Sequence, residues 1–316
     1  MRFLLDAEQR DFARTLDTLL TKSDVPAAAR AWAGGDFAPG RALWRRVAAL
    51  GVFALAAPEG YPVELALVCE QLGRHAVPGP YVESLAAAAL CARLLGSPDG
   101  DGEALVTLAL PGSGPYVLDA DAAERLLVVE LGDTWTLRLA PGHGPVHPGL
   151  DPARRYARPL PGGERLADGP SVRDAAAHAA ALARLATAAQ ALGAGRALLD
   201  RTVDHVRRRT QFGVAVGTFQ AVKHRLADTL VALEFARPLV FGAAVTMRPA
   251  DLAAAKAAAG EAAYTAARTA LQLHGAVGYT AEYDLSLWLM KARALRDAWG
   301  TPGECRAQVL DSGAHH

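Results

Sequence analysis

Apolar positions recur at helical spacing through the first third of this chain. Phe12, Leu16, Leu19 and Leu20 share one face. Leu43, Val47 and Leu50 share a second that Gly51 ends, and Leu65, Val68, Cys69 and Leu72 share a third, followed by Gly73. Pro78-Gly79-Pro80 interrupts the pattern, which resumes from Ser84 to Leu95 and closes at Gly96-Ser97-Pro98. From about residue 100 to 170 the texture changes. Leu105-Val106-Thr107-Leu108, Leu126-Leu127-Val128-Val129 and Thr134-Trp135-Thr136-Leu137 are short runs set between Gly, Pro and Asp, which predicts a small β-sheet. From 171 to 311 helical periodicity returns in four long segments. In one of them Phe219, Val222, Leu226, Leu230 and Leu233 repeat at helical spacing and are expected to face a core. Alanine runs such as Ala253 to Ala259, around Lys256, let helices approach closely. The expected fold is mostly α: an N-terminal helical domain over 1–100, a reduced middle β-domain over 101–170 and a C-terminal four-helix bundle over 171–316.

Composition narrows the class. Of the 316 residues 51% are hydrophobic, which excludes a disordered chain. A formal net charge of zero supplies no field to recruit nucleic acid or an anionic membrane. Cys69, Cys91 and Cys305 fit no metal or redox spacing and read as thiols in a reducing compartment. The start, Met1-Arg2-Phe3-Leu4-Leu5-Asp6, turns charged at once and offers no apolar signal segment. The most apolar stretch, Ala175 to Leu199, is alanine-rich and broken by His178, Arg184 and Arg196, so it reads as a tightly packed bundle helix and not a membrane span. His143 and His147 lie four apart in a Gly/Pro-rich loop without a third ligand, so no metal site is expected. A cytoplasmic protein follows.

Two segments carry the candidate chemistry. One is Arg209-Thr210-Gln211-Phe212-Gly213, followed by Phe219-Gln220. The other is Gln272-Leu273-His274-Gly275-Ala276-Val277-Gly278-Tyr279. Taken singly, Arg207, Arg208 and Arg209 fit a solvated basic face, and the glycines of the second segment fit an ordinary helix end. Together they resemble the two flavin-contacting signatures of the acyl-CoA dehydrogenase family, and the order helices, small sheet, helical bundle resembles that family's fold. The resemblance covers most of the chain and is strongest from Arg184 to Thr301. It implies FAD as cofactor. A diphosphate is best held by a planar, permanently charged donor, and on the family pattern that donor is Arg209, reaching across a subunit interface. Gln211, Phe212 and Gln220 would accompany it, and Gln272, Leu273, His274, Gly275 and Ala276 would bring backbone to the cofactor. Thr301 would join them. Ala276 stands where the family has a second glycine. His274 is expected to contribute only its backbone.

The resemblance also shows what is absent. Dehydrogenating an acyl-CoA thioester needs a carboxylate to take a proton beside the carbonyl while a hydride leaves the next carbon. The family places that glutamate at one of two positions, which here are Trp299 and Ala183. Neither accepts a proton. Asp297 is expected to point to a different face from Trp299, and Glu304 lies beyond the Pro302-Gly303 break. The Trp299 indole either fills substrate space or packs against another subunit. No Thr-Glu-Pro-type stretch occurs between Glu103 and Gly169, and Leu150-Asp151-Pro152-Ala153-Arg154-Arg155 resembles short family members that form one half of a two-chain enzyme. The resemblance thus implies a subunit without its own base. It would act with an acyl-CoA dehydrogenase partner, as a heterotetramer or similar, on an acyl-CoA thioester, with an electron-transfer flavoprotein as one possible acceptor. A self-sufficient flavoenzyme using Asp297 or Glu304, and a flavin-free structural subunit, remain the alternatives.

Overall fold

The computed structural model describes residues 5–57, 60–96 and 104–313; the readings at Met1–Leu4, Ser97-Pro98 and Glu103 lie outside them. The chain enters its first helix, α1 (Ala7–Thr21), through a capping box: the Asp6 carboxylate accepts from Gln9 N at 2.8 Å, and Gln9 Oε1 accepts from Asp6 N at 3.1 Å. Helices α2 (Val25–Ala33), α3 (Ala38–Ala48), α4 (Pro62–Arg74) and α5 (Tyr81–Leu95) follow. Three of them begin with a proline in the first turn, where its missing N–H costs nothing. Gly51 and Gly96 take the left-handed conformation expected of helix ends.

Gly73 does something else. It lies inside α4, where an added Cβ would sit 1.9 Å from the Gln190 carbonyl oxygen of the long helix α6 (Pro170–Arg208); at Gly193 it would sit 1.8 Å from the Glu70 carbonyl oxygen. The two glycines let α4 and α6 cross backbone to backbone. The reading of Gly73 as a terminator is therefore replaced by a packing role.

Two small sheets stand between the helical regions. β1 (Val106–Ala109), β3 (Arg125–Leu131), β4 (Trp135–Leu139) and β7 (Glu164–Asp168) form one in the order β1-β3-β4-β7, with β1 parallel to β3 and the other pairs antiparallel. β2 (Val117–Leu118), β6 (Arg155–Ala157) and β5 (His147–Pro148) form the other. Ser84 Oγ of α5 donates to the Val106 carbonyl oxygen and accepts from Val106 N, fastening β1 to the helices.

The C-terminal helices are α6, α7 (Gln220–Thr246), α8 (Pro249–His274), α9 (Leu285–Asp297) and α10 (Pro302–Gly313). The first four pack as a bundle, and α10 lies along α8. One apolar cluster runs through all these regions, from Leu16 and Trp44 through Leu105 and Leu137 to Leu192 and Trp288. α7 turns Leu233, Ala236 and Val240 into it. Its opposite side carries Val231, Phe235 and Leu239 in the open, with Phe235 72% exposed. Phe219 and Leu230 are also exposed, which corrects the expectation that they face this chain's core. Among the described residues α7, and not α6, is the helix long and apolar enough by composition to cross a membrane.

Lys256 of α8 is fully buried. Its Nζ donates to the carbonyl oxygens of Arg296 and Gly300, at 2.9 Å each, and so ties α8 to the turn after α9. Burial pushes its pKa down to about 8.

Two predictions follow from these contacts. Gly193→Ala forces the α4/α6 crossing apart and lowers the unfolding free energy by about 2–3 kcal/mol, read as a drop in the urea midpoint. For Lys256 the folded pKa lies below the unfolded value, so between them the unfolded state binds more protons and stability rises with pH. The expected gain above pH 8 is at most about 1.4 kcal/mol per pH unit. It should vanish in Lys256→Met when urea melts at pH 7.5 and 9 are compared.

Candidate functional site

α6 runs 39 residues and stops at Arg208. Beyond it, β8 (Thr210–Gln211) and β9 (Val214–Ala215) pair as a hairpin around Phe212 and Gly213, whose φ angles are +53° and +79°. Two positive φ values are what a tight two-residue hairpin turn requires. Glycine meets that freely, whereas a phenylalanine there carries about 1–3 kcal/mol of strain. Phe212 is nonetheless 91% exposed, touching only the edge of Phe219 at 6.3 Å. Arg209, Gln211 and Gln220 are exposed around it, and the Arg209 side chain forms no ion pair or hydrogen bond among the described residues. The hairpin is a strained arm that presents an aromatic ring and a free guanidinium outward.

The second segment ends α8. Gly275 takes φ +64°, ψ −141°, with open space where a Cβ would stand, and a short 3-10 turn follows over Gly275–Tyr279. Gln272 and Ala276 are exposed and Leu273 is half-buried. The two segments, far apart in the chain, meet in space through a contact the sequence reading did not include. The ring of His205, in the last turn of α6, stacks on His274 at 4.1 Å. His274 is buried, with Nδ1 2.8 Å from the Ala270 carbonyl oxygen.

The positions expected to carry a base lie elsewhere. Ala183 is buried in the core. Trp299 has φ +56° and Gly300 φ +123°. Arg184 Nε reaches the Trp299 carbonyl oxygen at 3.3 Å. The Trp299 indole donates to Glu83 Oε1 at 3.1 Å, within its own chain. Glu83, from α5, is only 5% exposed, and its Oε2 has no hydrogen-bond partner. Arg154 Nη2 stands 3.9 Å from Oε1, and Arg154 Nε donates to Tyr156 Oη at 3.1 Å. Burial works against the charged guanidinium, but Tyr156, Glu83 and Asp151 more than offset it and hold Arg154 above the usual arginine range. Asp151 in turn pairs with buried Lys291 of α9 at 3.3 Å.

Glu83, Arg154, Tyr156, Arg184, Trp299 and Gly300 line a cleft of about 740 Å³ between α5, the β1–β2 loop, α6 and the turn after α9. The sequence reading missed Glu83. Its signal was a lone acid in the apolar run Tyr81-Val82-Glu83-Ser84-Leu85. Asp297 also lines the cleft, contrary to the expectation from helical phase. α9 ends at Asp297 and Ala298 is extended, so the helical angle does not carry on to Trp299. Asp297 is paired with Arg296 at 3.2 Å. Glu304 caps α10: Oε2 accepts from Thr301 N and Thr301 Oγ1 at 2.8 and 2.9 Å, and these bonds hold its carboxyl below the usual range. Thr301 is therefore engaged by the cap and lies on the cleft, not beside the arm.

As a donor set, the arm and the Gly275 turn suit a diphosphate: an unpaired guanidinium, exposed carboxamides and an open glycine backbone.

Comparison with known proteins fits this geometry. Residues 6–99 match the acyl-CoA dehydrogenase N-terminal domain, and residues 173–311 match the acyl-CoA dehydrogenase C-terminal domain. The chain is 34% identical to acyl-CoA dehydrogenase IpdE2 of Mycobacterium tuberculosis, covering 94% of this chain and 95% of that one. It is 31% identical to acyl-CoA dehydrogenase IpdE2 of Mycolicibacterium smegmatis, over 94% and 96%. Among solved structures, the ChsE4-ChsE5 complex from Mycobacterium tuberculosis superposes with a TM-score of 0.84 at 25% identity, covering 100% of this chain and 98% of the matched one. The chain belongs to the acyl-CoA dehydrogenase family.

Proposed function

We propose that this protein is the base-less half of a heteromeric, FAD-dependent acyl-CoA dehydrogenase, acting in the cytoplasm as three regions, 1–100, 101–170 and 171–316. The observation that carries the reading is the pairing of an outward, strained arm at Arg209–Gly213 with an indole, not a carboxylate, at Trp299. The chemistry FAD supplies when bound is acceptance of a hydride from the carbon β to the thioester. This chain's part is to hold and orient. The Arg209 guanidinium pairs with the diphosphate, Gln211, Phe212 and Gln220 flank the adenine half, and Gln272 to Ala276 bring backbone against it. A partner acyl-CoA dehydrogenase chain supplies the ring cradle and the carboxylate that takes the α-proton. The exposed stripe Val231, Phe235 and Leu239 on α7 supports such a partner, being an apolar face that one chain leaves uncovered. The similar ChsE4-ChsE5 structure is itself a complex of two named chains. An electron-transfer flavoprotein is the candidate acceptor.

The test is to express this chain alone and together with a candidate partner acyl-CoA dehydrogenase chain from the same organism. Flavin retention and turnover belong to the pair. Strong retention and turnover by the lone chain would overturn the two-chain reading. Within the pair, Arg209→Ala should weaken flavin binding by about 2–3 kcal/mol, since it strips a charge-assisted contact from a diphosphate. Unchanged affinity would remove the arm from the site.

One observation favours a second reading. Glu83 Oε2 is buried, unpartnered and on the cleft, so a self-sufficient enzyme would have it as base. The two readings separate on Glu83→Gln, which keeps the shape and the acceptor for Trp299. On the first reading Glu83→Gln lowers stability, because it leaves Arg154 short of a buried partner, but the pair that folds keeps its turnover; on the second turnover of the folded protein falls by about 10²-fold or more.

A further inference from the structure

Beside the arm is a hollow of about 430 Å³ whose walls are rich in cations. Arg201, Arg208 and Arg209 line it from α6 and its end, together with His205; Asp204 lies on the same helix. Tyr283 and Asp284 face them from the segment before α9, and Asp284 is already paired with Arg30 Nη1 at 2.6 Å. The turn Val216–Thr218, which also packs on α6, brings no ionisable group.

Behind the His205 wall of the hollow its ring stacks on buried His274. The Ala270 carbonyl oxygen can only accept, so His274 Nδ1 carries the proton and Nε2 is left as a lone pair. That Nε2 is buried without a partner, and so is Nε2 of His205. Tyr283 closes the far side, 5.7 Å from the His274 ring. Two imidazoles with orphaned nitrogens, packed face to face among arginines, have room for one proton only when a negative charge arrives to balance it.

We propose that the stacked His205–His274 pair makes this chain's phosphate grip proton-coupled: a diphosphate seated beside Arg209 draws one proton onto the pair. The inference rests on the reading of the arm as a flavin grip and adds a regulation to it. His205 is here a positioning residue that joins the two halves of the grip. Burial first, then the charges of His274 and Arg209, keep His205 below its ordinary pKa without a ligand; burial does the same for His274. The ligand's charge acts in the opposite direction and raises the pair's pKa on binding. The sign follows from linkage: affinity gains as pH falls through the ligand-bound pKa and levels off below the free one.

The test is dissociation of the flavin-loaded two-chain complex on dilution, followed by the fluorescence of released FAD between pH 5.5 and 8. The wild-type complex is expected to bind more tightly as pH falls, by up to about tenfold per pH unit, and H205Q to hold flavin with a flattened profile. A flat wild-type profile, or an unaltered slope in H205Q, would overturn the proton coupling. Should H205Q fail to assemble, calorimetry of FAD added to the stripped wild-type complex decides the matter. Equal heats in two buffers of different ionisation enthalpy mean no proton is taken up, and the coupling is wrong. Failure of the underlying reading looks different, because R209A would then leave flavin affinity intact at every pH.

Discussion

The fold depends on a charge cluster buried where its three regions meet. Glu83 comes from the N-terminal helices, Asp151 and Arg154 from the loop between β5 and β6, and Lys291 and the Trp299 turn from the bundle. Each charge is costly to bury alone, and removing one partner of such a pair typically costs about 3–5 kcal/mol. The cluster therefore holds the regions in one arrangement more by the penalty for separating them than by the strength of each contact. Lys256, clamped on the Gly300 carbonyl, fixes the far side of the same turn. A left-handed tryptophan persists at residue 299 because its indole, its carbonyl and the next peptide are all held.

That arrangement also bears on what the cleft can do. On the proposed reading the indole stands where a relative would carry an acid, and its hydrogen bond occupies one oxygen of the buried Glu83 carboxylate. Glu304 and Asp297, the acids nearest in sequence, are bound to a helix cap and to Arg296. Within this chain, among the described residues, the oxygen that the indole leaves unengaged, Glu83 Oε2, is the one candidate acceptor the turn presents; on the proposed two-chain reading the acceptor comes from another chain.

Much of this was legible in the sequence. The helical repeats, the change of texture after residue 100 and the turns at Gly213 and Gly275 each rest on local periodicity or on residue types fixed by backbone need. What was illegible depends on tertiary placement. Gly73 reads as a stop until α6 is laid across it. Helical phase says nothing about Trp299 once Ala298 leaves the helix. Leu230 and Phe219 have the right period for a core, and period alone does not tell an inner core from a surface that another chain covers. The meeting of His205 with His274 is a product of α6 and α8 ending at the same place, which no motif encodes.

The arm leads into the helix that carries the stripe. Gln220 opens α7 after the hairpin and the Val216–Thr218 turn, and Val231, Phe235 and Leu239 follow about three to five turns along it. In the proposed assembly any partner that covers the stripe also fixes the helix whose first residue flanks the cofactor, so assembly and cofactor binding draw on the same rigid element. A ligand held between two chains stabilises their complex by mass action, and the complex in turn supplies the second wall of the ligand's site. The Phe212 strain then has a physical reason to persist: an aromatic ring kept out of its own core is available to another chain's cofactor without first being unpacked.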